Sequence, residues 1–546
     1  MRKEPSHFNK AIKFTFKHIS SKLVWFGIVS ILIVYVFAGR ALPILFGDAV
    51  DRGIIPKDLD SFYSIAVYFL IFSLLRSITG FVLYYMVGVE SNKIAYRVRG
   101  LIYKKILSLP IRYFDKNSSG KILTRVTNDT NSYQSFLGEG FIGIFINTFE
   151  LTSIFIALIY ESYLLALSLV LVFPLSFLIS KRIAKNIESL YFDAKNILSN
   201  INSYLADSLN GFSVIQGYGL YDQKFKSFKE QTDDYFNRQI KISKLFAILW
   251  PQIEFVQLLT IFLSFSLGAY LIPKGQLEPG TLVAFTLLVQ SIFHPLRFIL
   301  ERLNQIQNGI TSAKRIIDVI DEEDEDVPKD HQISLPQDFE PSIKVKSLDF
   351  SYKPENLPFV FKDFNLEFKA FESTALVGRT GSGKTTLISL LQRLYEPTKG
   401  SIEIGGHNLN DLLLDSIREN LCIVRQEDFI FQGTILENIT LNFSDDQDLE
   451  KAKKALKFAE VSKPLDYKVT TSGENLSPGE RQLLSFARVF YHSPKVLIFD
   501  EATSFIDEVT EKLIQNKARE LFQGKTVIVV AHKKTTIEMC DNLISL

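Results

Sequence analysis

The sequence predicts a chain of two parts: an all-α membrane half of six helices with long cytosolic helical extensions, then an α/β half of the phosphate-loop type. Three observations carry this prediction. Six apolar segments, near 23–46, 62–88, 136–160, 162–180, 245–272 and 281–300, each approach the ~20 residues a helix needs to cross a bilayer. The two longest links between them, 90–135 and 183–243, place apolar residues such as Val98, Leu101 and Ile102 at three-and-four spacing. Finally, Gly378 to Thr385 reads Gly-Arg-Thr-Gly-Ser-Gly-Lys-Thr, matching G-x-x-x-x-G-K-[ST] between a strand-like and a helix-like run.

At 546 residues the chain has room for more than one domain. Its 61 basic and 60 acidic residues nearly cancel, which argues against a nucleic-acid binder. Apolar residues make up 47% and are concentrated in the first half, so the two halves face different solvents. Cys422 and Cys540 are too few for a disulfide framework and read as small buried hydrophobes.

The membrane half opens with Lys10, Lys13, Lys17 and Lys22 interleaved with Phe8, Ile12, Phe14, Phe16 and Ile19. Such a pattern suits an amphipathic helix on a membrane surface, or else a disordered basic tail. No cleaved signal peptide is expected, because the apolar segment behind it is too long. The short links at 51–60, 161–162 and 273–279 hold few basic residues, whereas the long ones carry many, Arg97, Arg99, Lys104, Lys105 and Lys181 among them. By the positive-inside tendency the long links and both termini lie in the cytosol. A helical hairpin of such length projects ~30 Å from the membrane. Turn signals fall at 115–120 in the first and at Gly211, Gly217 and Gly219 in the second. Arg40, Arg76, Glu150, Gln252, Glu254, Gln257 and Arg297 fall inside the apolar segments, where a polar substrate path and plain helix–helix contact are both open readings.

The membrane half is expected over 1–320, an acidic and Pro-containing linker over 321–341, and the α/β half over 342–546. In the α/β half, short apolar strands alternate with helical stretches, the pattern of a largely parallel sheet. The glycines of the loop let the backbone N–H groups of Gly378, Arg379, Thr380, Gly381, Ser382 and Gly383 turn toward phosphate oxygens. The helix behind them, beginning with Lys384, Thr385 and Thr386, adds the positive end of its dipole. Lys384 would reach the outer phosphates and the Thr385 hydroxyl would hold Mg²⁺.

Several stretches resemble those of the six-helix ABC exporters, and together they cover nearly the whole chain. The run Pro110-x-x-x-Phe114-Asp115-x-x-x-x-Gly120-x-x-x-x-Arg125-x-x-x-Asp129 is similar to the first intracellular loop of that family. The resemblance implies coupling helices at the loop tips, near 117–122 and 213–225. Leu476-Ser477-Pro478-Gly479-Glu480 and the residues to Arg488 resemble the ABC signature L-S-G-G-Q and its helix, with Pro478 and Glu480 departing from it. By that resemblance Ser477 and the Gly479 backbone donate to the γ-phosphate of a nucleotide held on another subunit. Proline removes one N–H there, and Glu480 adds negative charge. Tyr352 corresponds to the adenine-stacking aromatic, although a sheet-edge tyrosine has the same pattern. Gln426 matches the Q-loop glutamine, a Mg²⁺ ligand. Val496-Leu-Ile-Phe-Asp500-Glu501 looks like the Walker-B strand, with Asp500 supporting Mg²⁺ and Glu501 as general base. Asp507 falls in a D-loop altered in its middle, and His532 resembles the switch histidine. At Thr471 the family often carries a glutamate.

The resemblance thus implies an ATPase using ATP and Mg²⁺, coupled to export of a hydrophobic or amphipathic substrate such as a drug, lipid or peptide. An ATP-gated channel or an importer on the same fold has the same motifs. Because the signature acts in trans, a second half-transporter subunit is required. A heterodimer is preferred over a homodimer, since this chain keeps Glu501 and His532 but has a divergent signature. The expected setting is a multi-pass cell (inner) membrane protein with both termini and the ATPase half cytoplasmic.

Overall fold

The computed structural model describes residues 7–17, 21–325, 331–352, 359–379, 381–425, 428–443, 448–500, 508–531 and 533–546, without side chains at some helix positions, chiefly between 168 and 188. They form two compact units, one of Met1–Lys104 with Gly120–Asp321, the other of Lys105–Ser119 with Glu322–Leu546.

The first unit is helical throughout its described residues. Its elements are α1 (His7–Lys17), α2 (Lys22–Asp48), α3 (Leu59–Leu107), then α4 (Ile111–Lys116), which belongs to the second unit, and α5 (Ser119–Thr124). After these come α6 (Thr130–Ser135), α7 (Gly143–Glu161), α8 (Tyr163–Asn210), α9 (Phe212–Tyr218), α10 (Tyr221–Leu271) and α11 (Pro279–Ile320). Hydroxyl caps start two of the long helices. Ser21 accepts from the Leu23 N–H at 3.2 Å and Ser162 from the Leu165 N–H at 3.3 Å, each satisfying a donor that the first turn leaves open. Gly219, at φ +64°, ends α9 in the left-handed conformation that glycine adopts without strain.

Five helical stretches among the described residues are long and apolar enough to cross a membrane: Lys22–Ile54, Leu59–Leu107, Ser119–Glu161, Glu254–Lys274 and Pro279–Ile299. The remaining expected crossing, near 162–180, falls in α8, where most side chains from 168 onward lie outside the described residues. Among the described residues, two apolar cores bind these helices. Ile28, Leu32, Leu83, Val87 and Ile146 join α2, α3 and α7, while Ile154, Leu165, Leu271, Phe285 and Val289 join α7, α8, α10 and α11. Where α2 gives way to a π-helical stretch (Ala49–Ile54), its backbone nearly touches the start of α11. A Cβ on Gly280 would stand 2.1 Å from the Gly47 carbonyl oxygen, and the Gly280 N–H donates to Asp51 at 2.7 Å. Only glycine permits that approach. On α1, Ala11 and Thr15 are buried and Lys10, Lys13 and Lys17 are exposed, so the segment is an amphipathic helix rather than a loose tail.

The second unit carries β1 (Ile343–Phe350), β2 (Phe361–Phe368), β3 (Ser373–Val377), α12 (Lys384–Leu391), β4 (Lys399–Ile404), β5 (His407–Asn408), α13 (Leu414–Asn420) and β6 (Leu421–Val424). There follow β7 (Gly433–Thr434), α14 (Ile435–Thr440), α15 (Leu449–Phe458), β8 (Lys468–Val469), α16 (Pro478–His492), β9 (Val496–Asp500), α17 (Glu508–Phe522), β10 (Thr526–Val530), α18 (Lys534–Ile537) and β11 (Asn542–Ser545). A five-stranded sheet runs β11-β3-β10-β9-β6, parallel at every pairing. Val527 to Val530 and Val496 to Phe499 are buried on both faces, as strands inside a covered parallel sheet must be. A second, antiparallel sheet runs β2-β1-β4-β5. One core fills the space between the sheets and α12 (Leu348, Ile402, Leu376, Leu387, Ile528). The other lies under α14 to α17 (Ile435, Leu484, Phe486, Leu497, Ile514).

The loop segment Lys105–Ser119 groups with this unit and is bound to it by polar contacts. Lys105 pairs with Asp324 at 2.9 Å, the Glu325 N–H donates to the Ser108 carbonyl at 2.7 Å, and Tyr395 donates to Asp115. Within this segment α4 begins after Pro110, and the segment's end at Ser119 overlaps the tip expected near 117–122. The acidic run expected as a solvated linker is also partly engaged. Asp324 has its lysine, and Glu325 pairs with Arg418 at 2.8 Å.

Candidate functional site

The register of the parallel sheet assembles the site. Val530 pairs with both Leu376 and Asp500, and Val424 pairs with Phe499, so β3, β10, β9 and β6 end at one edge. Leu376, Val530, Asp500 and Arg425 therefore stand level across these strands, with Gly378 and Ala531 just beyond them at the carboxyl ends, the place where open α/β sheets hold ligands.

From β3 the chain enters a tight loop. Gly381 and Gly383 have φ of +88° and +99°, and Ser382 N–H donates to the Arg379 carbonyl at 3.0 Å. A Cβ on Gly378 would stand 2.6 Å from Ser382 Oγ, so the curl exists only with glycine there. Lys384 opens α12 and is buried, 8% exposed, with its ammonium donating to the carbonyls of Gly378 (2.8 Å) and Arg379 (3.3 Å). Ser382 Oγ is buried with no hydrogen-bond partner among the described residues. A curled backbone, an orphaned hydroxyl and a buried cation at a helix start fit a nucleotide's phosphates. Thr385 is exposed on the first turn of α12 and Asp500 ends β9, a hydroxyl and a carboxylate of the kind Mg²⁺ takes.

Tyr352 stands beside this loop, half exposed, its hydroxyl donating to Thr386 Oγ1 at 3.1 Å. Its ring meets Phe350 and Tyr395 edge-on, with centroids 5.0 and 5.1 Å away. Burial, reinforced by the hydrogen bond to Asp115, pushes the Tyr395 phenol above the ordinary tyrosine range. Thr380, Gln426, Glu501, Asp507 and His532 lie outside the described residues.

The segment Leu476 to Glu480 stands at the start of α16, on the side of the second core. Here the two departures from the signature have a local structural reason. Ser477 caps the helix, Pro478 takes the first helical position, and Glu480 closes a capping box: Ser477 Oγ accepts from the Glu480 N–H at 3.2 Å, and Glu480 accepts from the Ser477 N–H at 2.8 Å. Proline costs nothing at that position, where its missing N–H has no helical partner anyway. Desolvation opposes ionisation of Glu480. The donors Ser477 N–H and Ser462 Oγ, with the charge of Lys463, outweigh it and hold the carboxyl below its ordinary value.

Two residues the sequence reading did not single out tie these pieces together. Arg488, on the signature helix, donates to the carbonyls of Asn438 (2.6 Å) and Phe429 (2.9 Å), and Asn438 in turn donates to the Phe431 carbonyl at 2.8 Å. The loop after β6 is thereby fastened to α16. The other is Tyr395, whose only sequence signal is an aromatic shortly after α12.

Comparison with known proteins agrees with this architecture. Residues 24–296 match the family model described as ABC transporter transmembrane region, and residues 361–504 match the one described as ABC transporter. An ATP-dependent lipid A-core flippase of Syntrophus aciditrophicus is 28% identical over 461 residues, covering 83% of this chain and 76% of the relative. An uncharacterized ABC transporter ATP-binding protein of Bacillus subtilis is 30% identical over 531 residues, 95% of this chain and 86% of the relative. A Staphylococcus aureus protein named for multidrug export, as an ATP-binding/permease protein, is 29% identical over 487 residues, 88% and 84% of the two chains. With a helical membrane unit and an α/β unit built around a phosphate-type loop, the chain belongs to the ABC transporter family, as an exporter-type, ATP-hydrolysing subunit that fuses the transmembrane and ATPase regions in one multi-pass polypeptide.

Proposed function

We propose that this chain exports hydrophobic or amphipathic molecules across a cell (inner) membrane by alternating access, driven by ATP hydrolysis between two nucleotide-binding domains. Residues 1–320 form the transmembrane domain, 321–341 the linker and 342–546 the ATPase, with both termini cytoplasmic. The single observation that carries the reading is the fusion of membrane-crossing helices to an ABC ATPase. The names of the relatives, a lipid A-core flippase and a multidrug export protein, favour an amphipathic or apolar cargo.

In this reading the chain's residues divide the work of phosphoryl transfer to water, which needs positioning and charge more than covalent chemistry. Tyr352 stacks on the adenine. The Gly378–Gly383 backbone and Lys384 hold the phosphates, and Lys384 exchanges its loop carbonyls for phosphate oxygens. Thr385, Gln426 and Asp500 would hold Mg²⁺, which would supply charge neutralisation for the phosphates. Glu501 accepts a proton from the attacking water, and a positioned base of this kind contributes roughly 10²–10⁴-fold. His532 contacts the γ-phosphate, and Asp507 lies at the domain–domain contact. Leu476 to Glu480 complete the site of the opposite subunit. One copy cannot complete a site, so the working unit is a dimer of half-transporters. We favour a heterodimer, since an intact Glu501 and His532 coexist with a signature whose cap is already filled by Glu480. ATP closes the domains because the closed state binds it better.

ATP turnover by this chain purified alone into lipid nanodiscs, beside its Glu501→Gln variant, tests the reading. Turnover that disappears in the variant means two copies suffice. No turnover in either, with ATP still bound, points to a distinct partner subunit. Turnover that persists in the variant at the wild-type rate overturns the assignment of Glu501.

A further inference from the structure

The chain enters the signature through a tight turn. Ser472 and Gly473 both take positive φ, +57° and +68°, so the backbone doubles back just before Leu476. A serine keeps that conformation only where surrounding contacts hold it. Asn475 supplies them. Its Oδ1 accepts from the Thr470 N–H at 3.0 Å and from Thr470 Oγ1 at 3.1 Å. Its Nδ2 donates to the Lys468 carbonyl at 2.9 Å and to the Tyr467 hydroxyl at 3.3 Å. Both amide hydrogens and both oxygen lone pairs are thereby engaged. The Gly473 N–H adds a bond to the Thr470 carbonyl at 2.9 Å, and the Leu476 N–H one to the Gly473 carbonyl at 3.0 Å.

The far end of the signature is tied to the same stretch of chain. Ser462 Oγ donates to Glu480 at 3.1 Å, and the Lys463 ammonium stands 3.9 Å from that carboxylate. Lys463 also lies over the Tyr467 ring, 5.1 Å from its centroid. Asn475 in front of Ser477 and Glu480 behind it therefore both fasten to residues 462–468. The turn rests in addition on the chain that follows β6. Thr471 Oγ1 donates to Gln432 Oε1 at 3.4 Å, and a Cβ on Gly473 would stand 3.1 Å from the Ile430 Cβ. Thr471, where the resemblance led us to expect a glutamate, thus has a partner within its own domain.

We propose that Asn475 is a positioning residue for ATP binding and hydrolysis at the opposite subunit: by closing this turn it fixes where Ser477 and the Gly479 N–H stand. It acts through Ser477, two residues on, rather than on the nucleotide. The turn is exposed and its closure comes from one side chain, so a single substitution can release it without disturbing the buried Leu476 or the body of α16. This inference rests on the reading that the signature works in trans across a dimer, and it names the residue on which that work depends.

The test uses the assembled full-length dimer in lipid nanodiscs, with subunits that separate by size: this chain, and either a distinct partner or a second copy extended by a tag. The photoreactive analogue 8-azido-ATP is added at a concentration limiting for binding, and the label is read on each subunit. Asn475→Ala is placed in this chain while the other subunit is left unaltered. Label on the other subunit is then expected to fall about tenfold, the worth of one hydrogen bond from Ser477 to a charged phosphate oxygen, while label on the substituted chain stays within about twofold. Asn475→Asp keeps the acceptor for Thr470 and loses the donors to Lys468 and Tyr467, so its effect should lie between those of wild type and Asn475→Ala. A merely structural role lowers the label on both subunits together or on neither, and either pattern would overturn the proposal. So would a loss confined to the substituted chain, which would mean that Asn475 serves its own nucleotide. In those cases the dimer reading stands. ATP turnover by a monomeric wild-type chain would instead overturn the trans reading, and this inference with it.

Discussion

The Tyr395 hydroxyl donates a hydrogen bond to Asp115, and the Tyr395 ring stands perpendicular to that of Tyr352 at 5.1 Å. Asp115 lies on the short helix after Pro110, in the loop segment that leaves the membrane half and joins the ATPase unit. Tyr352 reaches in turn to Thr386 on the first turn of α12. Two side chains thus connect a loop between membrane helices with the edge of the nucleotide site. Tyr395→Phe keeps the ring and removes only the bond to Asp115. Since Asp115 is exposed, the loss is modest: a few-fold lower stimulation of ATP turnover by transported compounds, with unstimulated ATP binding within about twofold of wild type. Turnover assays with and without a stimulating compound check this, and Asp115→Asn combined with Tyr395→Phe should add little to either change alone.

Lys384 has its ammonium on two loop carbonyls, so its removal frees the loop as well as deleting a cation. Lys384→Ala is expected to weaken ATP binding by roughly 10- to 100-fold, the range for a charge-assisted contact to phosphate. A labelled-nucleotide binding assay reads it directly. Glu501→Gln should do the opposite, keeping ATP bound while steady-state hydrolysis stops. A Glu501→Gln variant that fails to bind ATP would contradict the role of a proton acceptor.

Local features were the legible ones. The loop at Gly378 to Thr385 can be read in the sequence because its glycines, its lysine and its flanking strand and helix are consecutive, and the same holds for the apolar crossings. The antiparallel sheet was harder, since β1 carries two register shifts against β2 that break its alternation. The bond between Tyr395 and Asp115 joins positions far apart in the chain and has no local trace. Ser477 and Glu480 make the opposite case. Their spacing is that of a capping box, a local pattern, yet comparison with a consensus presents the same residues only as departures.

His492 ends the signature helix, and burial, followed by the charges of Lys451 and Arg488, holds its imidazole below the ordinary histidine value. The unfolded chain therefore binds a proton more readily than the folded one in the window just below that ordinary value. The stability His492 contributes is complete above that window and lost as pH falls through it. Going from about pH 7.5 to about pH 5.5, the ATPase-domain unfolding midpoint of wild type should fall further than that of His492→Gln. Differential scanning at the two pH values measures the gap. Equal falls would mean the imidazole titrates as freely when folded as when unfolded.

The capping box at Ser477 and Glu480 separates two roles of the signature that are usually measured together. Ser477→Ala removes the oxygen that accepts from the Glu480 N–H, and loss of such a cap costs about 1 kcal/mol, or roughly 2–4 °C in the unfolding midpoint. Glu480→Gln behaves differently. The amide oxygen still accepts from the Ser477 N–H, so the helix start survives with little change in stability. What disappears is the negative charge at the helix end that would face the partner's nucleotide, where the helix dipole favours an anion. If the carboxylate competes with the γ-phosphate for that place, Glu480→Gln should lower the KM for ATP several-fold in an assembled dimer, with the unfolding midpoint within about 1 °C of wild type. Steady-state ATPase titrations beside thermal melts distinguish the two effects. An unchanged KM with an unchanged midpoint would mean that Glu480 serves the helix alone, and that the signature of this chain binds nucleotide through Ser477 and the Gly479 backbone without hindrance.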